Sequence, residues 1–131
     1  MLQKVSSHKL DNDLLEVEVK LAAQDKSFIG QSCGKDEAEA YLRLSVEATL
    51  NAIVQALVRP IKFSLSSVLI KELAEHKQRV VVVLLRTDYF IEPVGEAIEL
   101  LGACKIANSE EEAAVRATLN ATNRAIALLL R

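Results

Sequence analysis

The sequence contains no tryptophan, and tyrosine and phenylalanine together make up only 4% of its 131 residues. Proteins that bind single-stranded nucleic acid usually stack the bases on aromatic side chains within a basic surface. Here 16 Lys and Arg residues stand against 18 Asp and Glu residues, and the formal net charge is -2. Nucleic acid is therefore not an expected partner.

Long apolar segments are also missing. The longest uninterrupted runs, of which Val80 to Leu85 is one, are far shorter than the ~20 residues that a membrane-spanning helix needs. The polar N-terminal residues lack the apolar centre of a signal peptide. We therefore expect no membrane partner and a cytoplasmic location.

Residue types that form metal or disulfide sites are few. Cys33 and Cys104 cannot make a disulfide framework and have no zinc-ligand spacing, so we expect two buried thiols. His8 and His76 stand among polar residues, which predicts surface positions. Three successive acids, Glu110 to Glu112, are typical of the first turn of a helix, where the positive end of the helix dipole attracts them. We predict no metal site.

Signatures of catalysis and of nucleotide binding are absent as well. The four glycines form neither a Gly-x-Gly-x-x-Gly nor a Walker pattern, and no residue pair matches a known nucleophile motif. The sequence therefore predicts no cofactor and no catalytic residue.

What the sequence does contain is half hydrophobic residues, distributed with clear periodicity. Alternation from Leu15 to Leu21 predicts a half-buried strand, followed by a second strand at about residues 26–32. Helical spacing then begins at Asp36, a predicted N-cap, and continues to Pro60. Residues 1–13 are expected to form a loosely ordered tail.

The second half repeats this order with one more strand. We predict a strand at 61–73 with a bulge near Ser67, and a central strand at 79–86 that is covered on both faces because its apolar residues do not alternate. Residues 88–96 form either an irregular connection or an extended hairpin before a strand at 97–107. Ser109 and Glu112 then predict a capping box for the last helix.

The two predicted helices share a sequence motif. Aligning residues 46–57 (VEATLNAIVQAL) with 115–126 (VRATLNATNRAI) gives seven identities in twelve positions. This match predicts one α+β domain, residues 1–131, made of duplicated halves at about 14–59 and 61–131. The predicted order is ββα-βββα, with a mainly antiparallel five-stranded sheet and both helices on one face. The leucines of the motif should face the sheet, and the alanines should face the other helix.

Six residues, three in each half, are candidates for binding a ligand. Two are strand glycines that allow close approach to the backbone, and four are polar residues of the repeated motif; they are Gly30, Thr49, Asn51, Gly102, Thr118 and Asn120. For the asparagines, the alternative is a solvent-facing amide that the helix tolerates.

The layout, together with Gly102 and the motif Ala-Thr-Leu-Asn120-Ala-Thr-Asn123-Arg124, resembles the C-terminal regulatory domain of 2-isopropylmalate synthase and citramalate synthase. The resemblance spans about residues 14–126 and implies a duplicated strand-helix fold. It implies a regulatory module that is detached from the catalytic barrel of those enzymes. Where those domains have an Asp-Ile-Val-like helix start near the effector site, this chain has Ser109-Glu-Glu-Glu-Ala-Ala.

We therefore expect a non-enzymatic regulatory or assembly domain that forms a homodimer and binds a small metabolite between its halves or subunits. Two alternatives remain open. One is an adaptor that binds a different protein through a sheet edge or an uncovered sheet face. The other is a small enzyme whose site combines the 30–36 and 88–96 segments, with Cys33, Asp88, Tyr89 and Glu92 as candidates.

Overall fold

A computed structural model describes residues 2–23, 25–57, 62–73, 78–91 and 96–129, excluding the side chains of 3, 88–91, 96–98 and 124–129. Each half consists of three strands followed by one helix. The elements are β1 (Leu2–Leu10), β2 (Leu14–Ala23), β3 (Lys26–Lys35), α1 (Ala40–Ala56), β4 (Phe63–Leu73), β5 (Gln78–Ile91), β6 (Glu96–Lys105) and α2 (Glu110–Leu129).

The strand β1 occupies the segment for which the sequence predicted a tail. It pairs antiparallel with β2 from Leu10 opposite Leu14 onwards, across a tight turn. Asn12 and Asp13 in that turn have φ values of 65° and 58°, a region that Asn and Asp enter more readily than most residues. The first half is therefore βββα rather than ββα.

The strands form two three-stranded antiparallel sheets, in the orders β1-β2-β3 and β4-β5-β6. The α+β class is confirmed, whereas the single five-stranded sheet is wrong. Helix α1 packs on β2 and β3 and also reaches β4, while α2 packs on β5 and β6 and reaches β1. The helices contact each other as well, so each one covers its own sheet and helps to join the halves.

The hydrophobic core lies between the inner faces of the sheets and the helices. In β2 every second residue from Leu15 to Leu21 is buried, which confirms the predicted alternation. The same holds in β5 for Val81, Val83 and Leu85. The intervening residues of β5 are only half-buried, so the prediction that both faces are covered is wrong. The central position of β5 in its sheet is confirmed.

Helix α1 starts later than predicted. Its N-cap is Glu39, which has φ 63° and makes no side-chain capping bond, whereas the backbone N–H of Asp36 donates to the carbonyl of Asp13. In α2, the predicted cap is confirmed, because Ser109 Oγ accepts a hydrogen bond from the Glu112 N–H at 3.0 Å. The Glu112 carboxylate pairs with Arg116 and does not reach back to the cap.

Two further predictions concern β4 and the β5–β6 connection. The pairing of β4 with β5 shifts between Leu65 and Ser67, which confirms the bulge. Strands β5 and β6 continue to the pair Ile91–Glu96, so the extended hairpin is the correct alternative. Pro60 and residues 92–95 lie outside the described residues.

Candidate functional site

Gly30 and Gly102 are points where each helix lies directly against its sheet. A Cβ atom at Gly30 would overlap the carbonyl oxygen of Ala48 and lie 2.5 Å from the Ala52 nitrogen. A Cβ atom at Gly102 would overlap the Ala117 carbonyl in the same way. The close approach expected at these two glycines is therefore filled by helix backbone.

The alanines of the repeated motif take part in the same contact. Ala52 Cβ lies 3.0 Å from the position that a Cβ of Gly30 would occupy, and Ala121 Cβ lies 2.8 Å from that of Gly102. The prediction that these alanines face the other helix is wrong for this pair. They face the strand because a small side chain opposite a glycine lets the helix backbone lie directly on the sheet.

The asparagines of the motif connect each helix to the edge of its sheet. Asn51 Nδ2 donates to the Gln31 carbonyl at 2.7 Å, and Asn120 Nδ2 donates to the Ala103 carbonyl at 2.9 Å. Each carbonyl belongs to the residue that follows the strand glycine. Both side chains are exposed, as the solvent-facing interpretation has it, yet both bind outward-facing carbonyls of the edge strands β3 and β6.

The threonines of the motif are fully buried. Thr49 Oγ1 donates to the Ser45 carbonyl at 2.7 Å, and Thr118 Oγ1 donates to the Ala114 carbonyl at 2.8 Å. The six candidate residues therefore make two equivalent groups, one in each half. Their contacts are between helix and strand or within the helix, and their role in ligand binding stays a prediction.

A polar cluster joins the two halves. The Tyr41 hydroxyl donates to Glu110, and Arg79 Nη2 lies 2.6 Å from the other carboxylate oxygen of Glu110. Tyr41 and Glu110 occupy the same position in the two aligned helices, because each precedes the motif valine by five residues. The two halves therefore contact each other through equivalent positions of their helices.

The cluster changes the ionisation of two of its members. Burial, together with the hydrogen bond to Glu110, raises the pKa of Tyr41 from 10.0 to about 12. The hydrogen bond from Tyr41, with the added charge of Arg79, lowers the pKa of Glu110 although burial opposes this. At neutral pH the cluster therefore consists of a phenol, a carboxylate and a guanidinium.

A polar cleft of about 160 Å³ lies between β1 and the start of α2. Basic and acidic groups both line it, and the Arg116–Glu112 ion pair at 3.0 Å forms one side. None of the six candidate residues lies in it. Its lining residues are Leu2, Lys4, Val5, Ser109, Glu112 and Arg116.

The residues of the enzyme hypothesis are only partly described. Residues 30–35 belong to β3, and Cys33 is exposed rather than buried because it alternates with the inward-facing Ser32 and Gly34. Cys104 is half-buried. Residues 92–95 and the side chains of Asp88 and Tyr89 lie outside the described part, so no pocket shared by the two segments is described.

The halves differ on the outer faces of the sheets, which point away from the helices. Strand register and alternation define both faces. The first outer face comprises Lys4, Ser6, His8, Glu16, Glu18, Lys20, Ile29, Gln31 and Cys33. The second outer face comprises, in the equivalent order, Ser67, Leu69, Lys71, Val80, Val82, Leu84, Leu101, Ala103 and Lys105.

The equivalence of positions follows from the glycine in each half. Val19 pairs with Gly30 and Val83 pairs with Gly102, so Glu18 corresponds to Val82. By the same step Glu16 corresponds to Val80, and Lys20 to Leu84. The second outer face therefore has aliphatic residues where the first has charges, and Leu69 and Leu101 on it are 45% and 68% exposed.

Among the described residues there is no group of three or more His, Cys, Asp or Glu side chains that could hold a metal ion. No described helix has the length and apolar character required to cross a membrane. No protein family model matches the chain, and no curated protein matches it.

Proposed function

We propose that the chain is an assembly domain that forms a homodimer through its second outer face. The observation that carries the proposal is the contrast at three equivalent positions of the central strands. Glu16, Glu18 and Lys20 on β2 correspond to Val80, Val82 and Leu84 on β5.

The first sheet supports this interpretation because it is an internal control. It has the same strand order and the same buried inner face, and it carries charges at these positions without loss of the fold. The fold itself therefore does not require aliphatic residues there. A contiguous exposed apolar patch on a small domain commonly marks a contact with another molecule.

The size of the second outer face indicates a reversible dimer. Three strands at ~4.8 Å spacing and about seven residues at ~3.4 Å rise give a footprint of roughly 300 Å² per copy. Stable complexes usually bury about 800 Å² per partner, so this face alone is smaller than a standard specific interface and fits a weak, transient one. We therefore expect association that depends on protein concentration in the micromolar range.

A regulatory role belongs to the same proposal. The resemblance to the regulatory domains of 2-isopropylmalate synthase and citramalate synthase supports this role. In the proposal, a small metabolite binds between the two halves or between the two subunits. Native mass spectrometry of the purified chain would detect a retained small molecule together with the dimer.

The test of dimerisation compares Leu101→Asp with the matched variant Ile29→Asp. Both residues are exposed aliphatics that precede the strand glycine, but they lie on different outer faces. By sedimentation velocity, the wild type and Ile29→Asp should shift from 14.4 kDa toward twice that mass as concentration rises. Leu101→Asp should stay monomeric, with a dissociation constant raised at least about 30-fold, since a carboxylate in place of the most exposed aliphatic side chain of the face would cost about 2 kcal/mol or more.

A wild type that stays monomeric up to several hundred micromolar would contradict the homodimer. Binding of a different protein by such a monomer, lost in Leu101→Asp alone, would support the adaptor instead. Equal effects of the two substitutions would remove the second outer face as the interface.

A further inference from the structure

We infer that two copies of the chain stack their second outer faces with antiparallel strands, so that Lys105 of each copy pairs with Glu99 of the other. This inference rests on the proposed homodimer and adds the orientation of the two copies. Its basis is the order of residues along β5 and β6.

Across these two strands, the second outer face and the adjoining pair of Arg86 and Glu99 form four successive rows. Strand register places Arg86 beside Glu99, Leu84 beside Leu101, Val82 beside Ala103 and Val80 beside Lys105. The first row therefore carries two charges, the last row carries the charge of Lys105 beside Val80, and aliphatic side chains occupy the two middle rows. Glu99 and Lys105 are both exposed.

A twofold axis that runs across the strands, between the two middle rows, exchanges the first row with the last. It sets Lys105 over Glu99 of the second copy, and the same pair forms again by symmetry. It also sets Ala103 over Leu101 of the second copy, and Val82 over Leu84. Each small side chain then meets a larger one, which is the arrangement that lets two sheet faces interdigitate.

The other in-plane twofold axis, along the strands, gives a worse match. It leaves each row facing itself and exchanges β4 with β6. Lys71 on β4 pairs with Val80 on β5, and Val80 pairs with Lys105 on β6. The two lysines therefore lie at opposite ends of one row. Lys71 of one copy would then face Lys105 of the other, twice, and like charges facing each other across an interface oppose binding.

Glu99 is accessible for the proposed pair. Its only ion pair within the described residues is with Arg86, at 4.0 Å, and the two side chains are 59% and 58% exposed. Such an exposed pair at the distance limit contributes little to stability. Glu99 can therefore bind Lys105 of a second copy at small cost to its own fold.

The test uses charge reversal at both positions, in the protein at concentrations where the wild type is dimeric. Lys105→Glu alone places carboxylates opposite Glu99, and Glu99→Lys alone places ammonium groups opposite Lys105. Each variant should show a dissociation constant at least about tenfold higher than the wild type. Lys20→Glu, a reversal on the first outer face, should leave the dimer unchanged.

An equimolar mixture of the two variants should restore association to within about threefold of the wild type. In that heterodimer the carboxylate introduced at position 105 faces the ammonium introduced at position 99, and native Glu99 faces native Lys105. Sedimentation equilibrium with one variant fluorescently labelled would measure the heterodimer directly.

The outcomes separate this inference from the proposed function. If Leu101→Asp abolishes the dimer but the charge reversals have no effect, or the mixture is no tighter than the single variants, the orientation is wrong and the interface stands. If the wild type is monomeric, both fail.

Discussion

The two halves of the molecule are alike where they face the core and different where they face away from it. Inside, the helix of each half packs directly on a strand glycine. An asparagine of that helix donates a hydrogen bond to the backbone carbonyl of the residue that follows the glycine. Outside, Glu18 and Val82 stand at the same place on two sheets of the same order. The inner positions are therefore set by the shared architecture, and the outer ones are free to serve a separate function.

The helix–strand contact that the two halves share is tested most directly by substituting its two glycines. Gly30→Ala and Gly102→Ala would each drive a methyl group into helix backbone, and overpacking of this kind costs about 3 kcal/mol at its upper range. Urea unfolding should show similar losses for the two variants. Gly34→Ala is the matched control, because its Cβ would meet the side chains of Arg43 and Leu44 at 3.2–3.3 Å and these can adjust. A variant at Gly30 or Gly102 as stable as the wild type would contradict the helix–strand contact.

The contact between Tyr41 and Glu110 is a place inside the domain where the two halves differ, because these two residues occupy equivalent positions in α1 and α2. Tyr41→Phe removes the hydrogen bond to a carboxylate that keeps its Arg79 pair, and we expect a loss of about 1.5 kcal/mol at pH 7. Urea unfolding at several pH values would measure it.

The pH dependence follows from the two shifted groups. Since the pKa of Tyr41 is raised to about 12, the folded state holds this proton more tightly than the unfolded chain. The contribution of the raised Tyr41 pKa to the free energy of unfolding is fully present below pH 10 and is lost as the pH rises toward 12. Because the pKa of Glu110 is lowered, its contribution is present above the ordinary carboxylate range and is lost in acid. A gap between wild type and Tyr41→Phe that does not narrow from pH 10 to 12 would contradict this account.

Local patterns predicted the elements whose signals are local. Alternation in β2, the bulge in β4 and the Ser109 cap all depend on residues close together in sequence. The strand β1 was missed because its residues do not alternate clearly, although the Asp11-Asn-Asp13 segment carries a turn signal. The division into two sheets depends on which strands pair across long separations in the sequence. The hydrophobic periodicity of one strand does not indicate which strand it pairs with.

The same limit applies to the site. Periodicity placed Asn51 and Asn120 on the polar side of their helices, but their partners lie on β3 and β6, at least 17 residues away in sequence. The unbroken apolar run from Val80 to Leu85 predicts a strand that is covered on both faces. An apolar residue on an outer face looks the same in sequence whether a helix or a second copy covers it.

The most direct measurement exchanges the three contrasting residues between the central strands. Val80→Glu, Val82→Glu and Leu84→Lys, made together, give β5 the outer residues of β2, and the reverse triple Glu16→Val, Glu18→Val and Lys20→Leu gives β2 those of β5. By sedimentation equilibrium, the first triple should be a monomer that unfolds at the urea concentration of the wild-type monomer. The reverse triple, with two apolar outer faces, should form species larger than a dimer. A first triple that still forms the wild-type dimer would contradict the assignment of the second outer face as the interface.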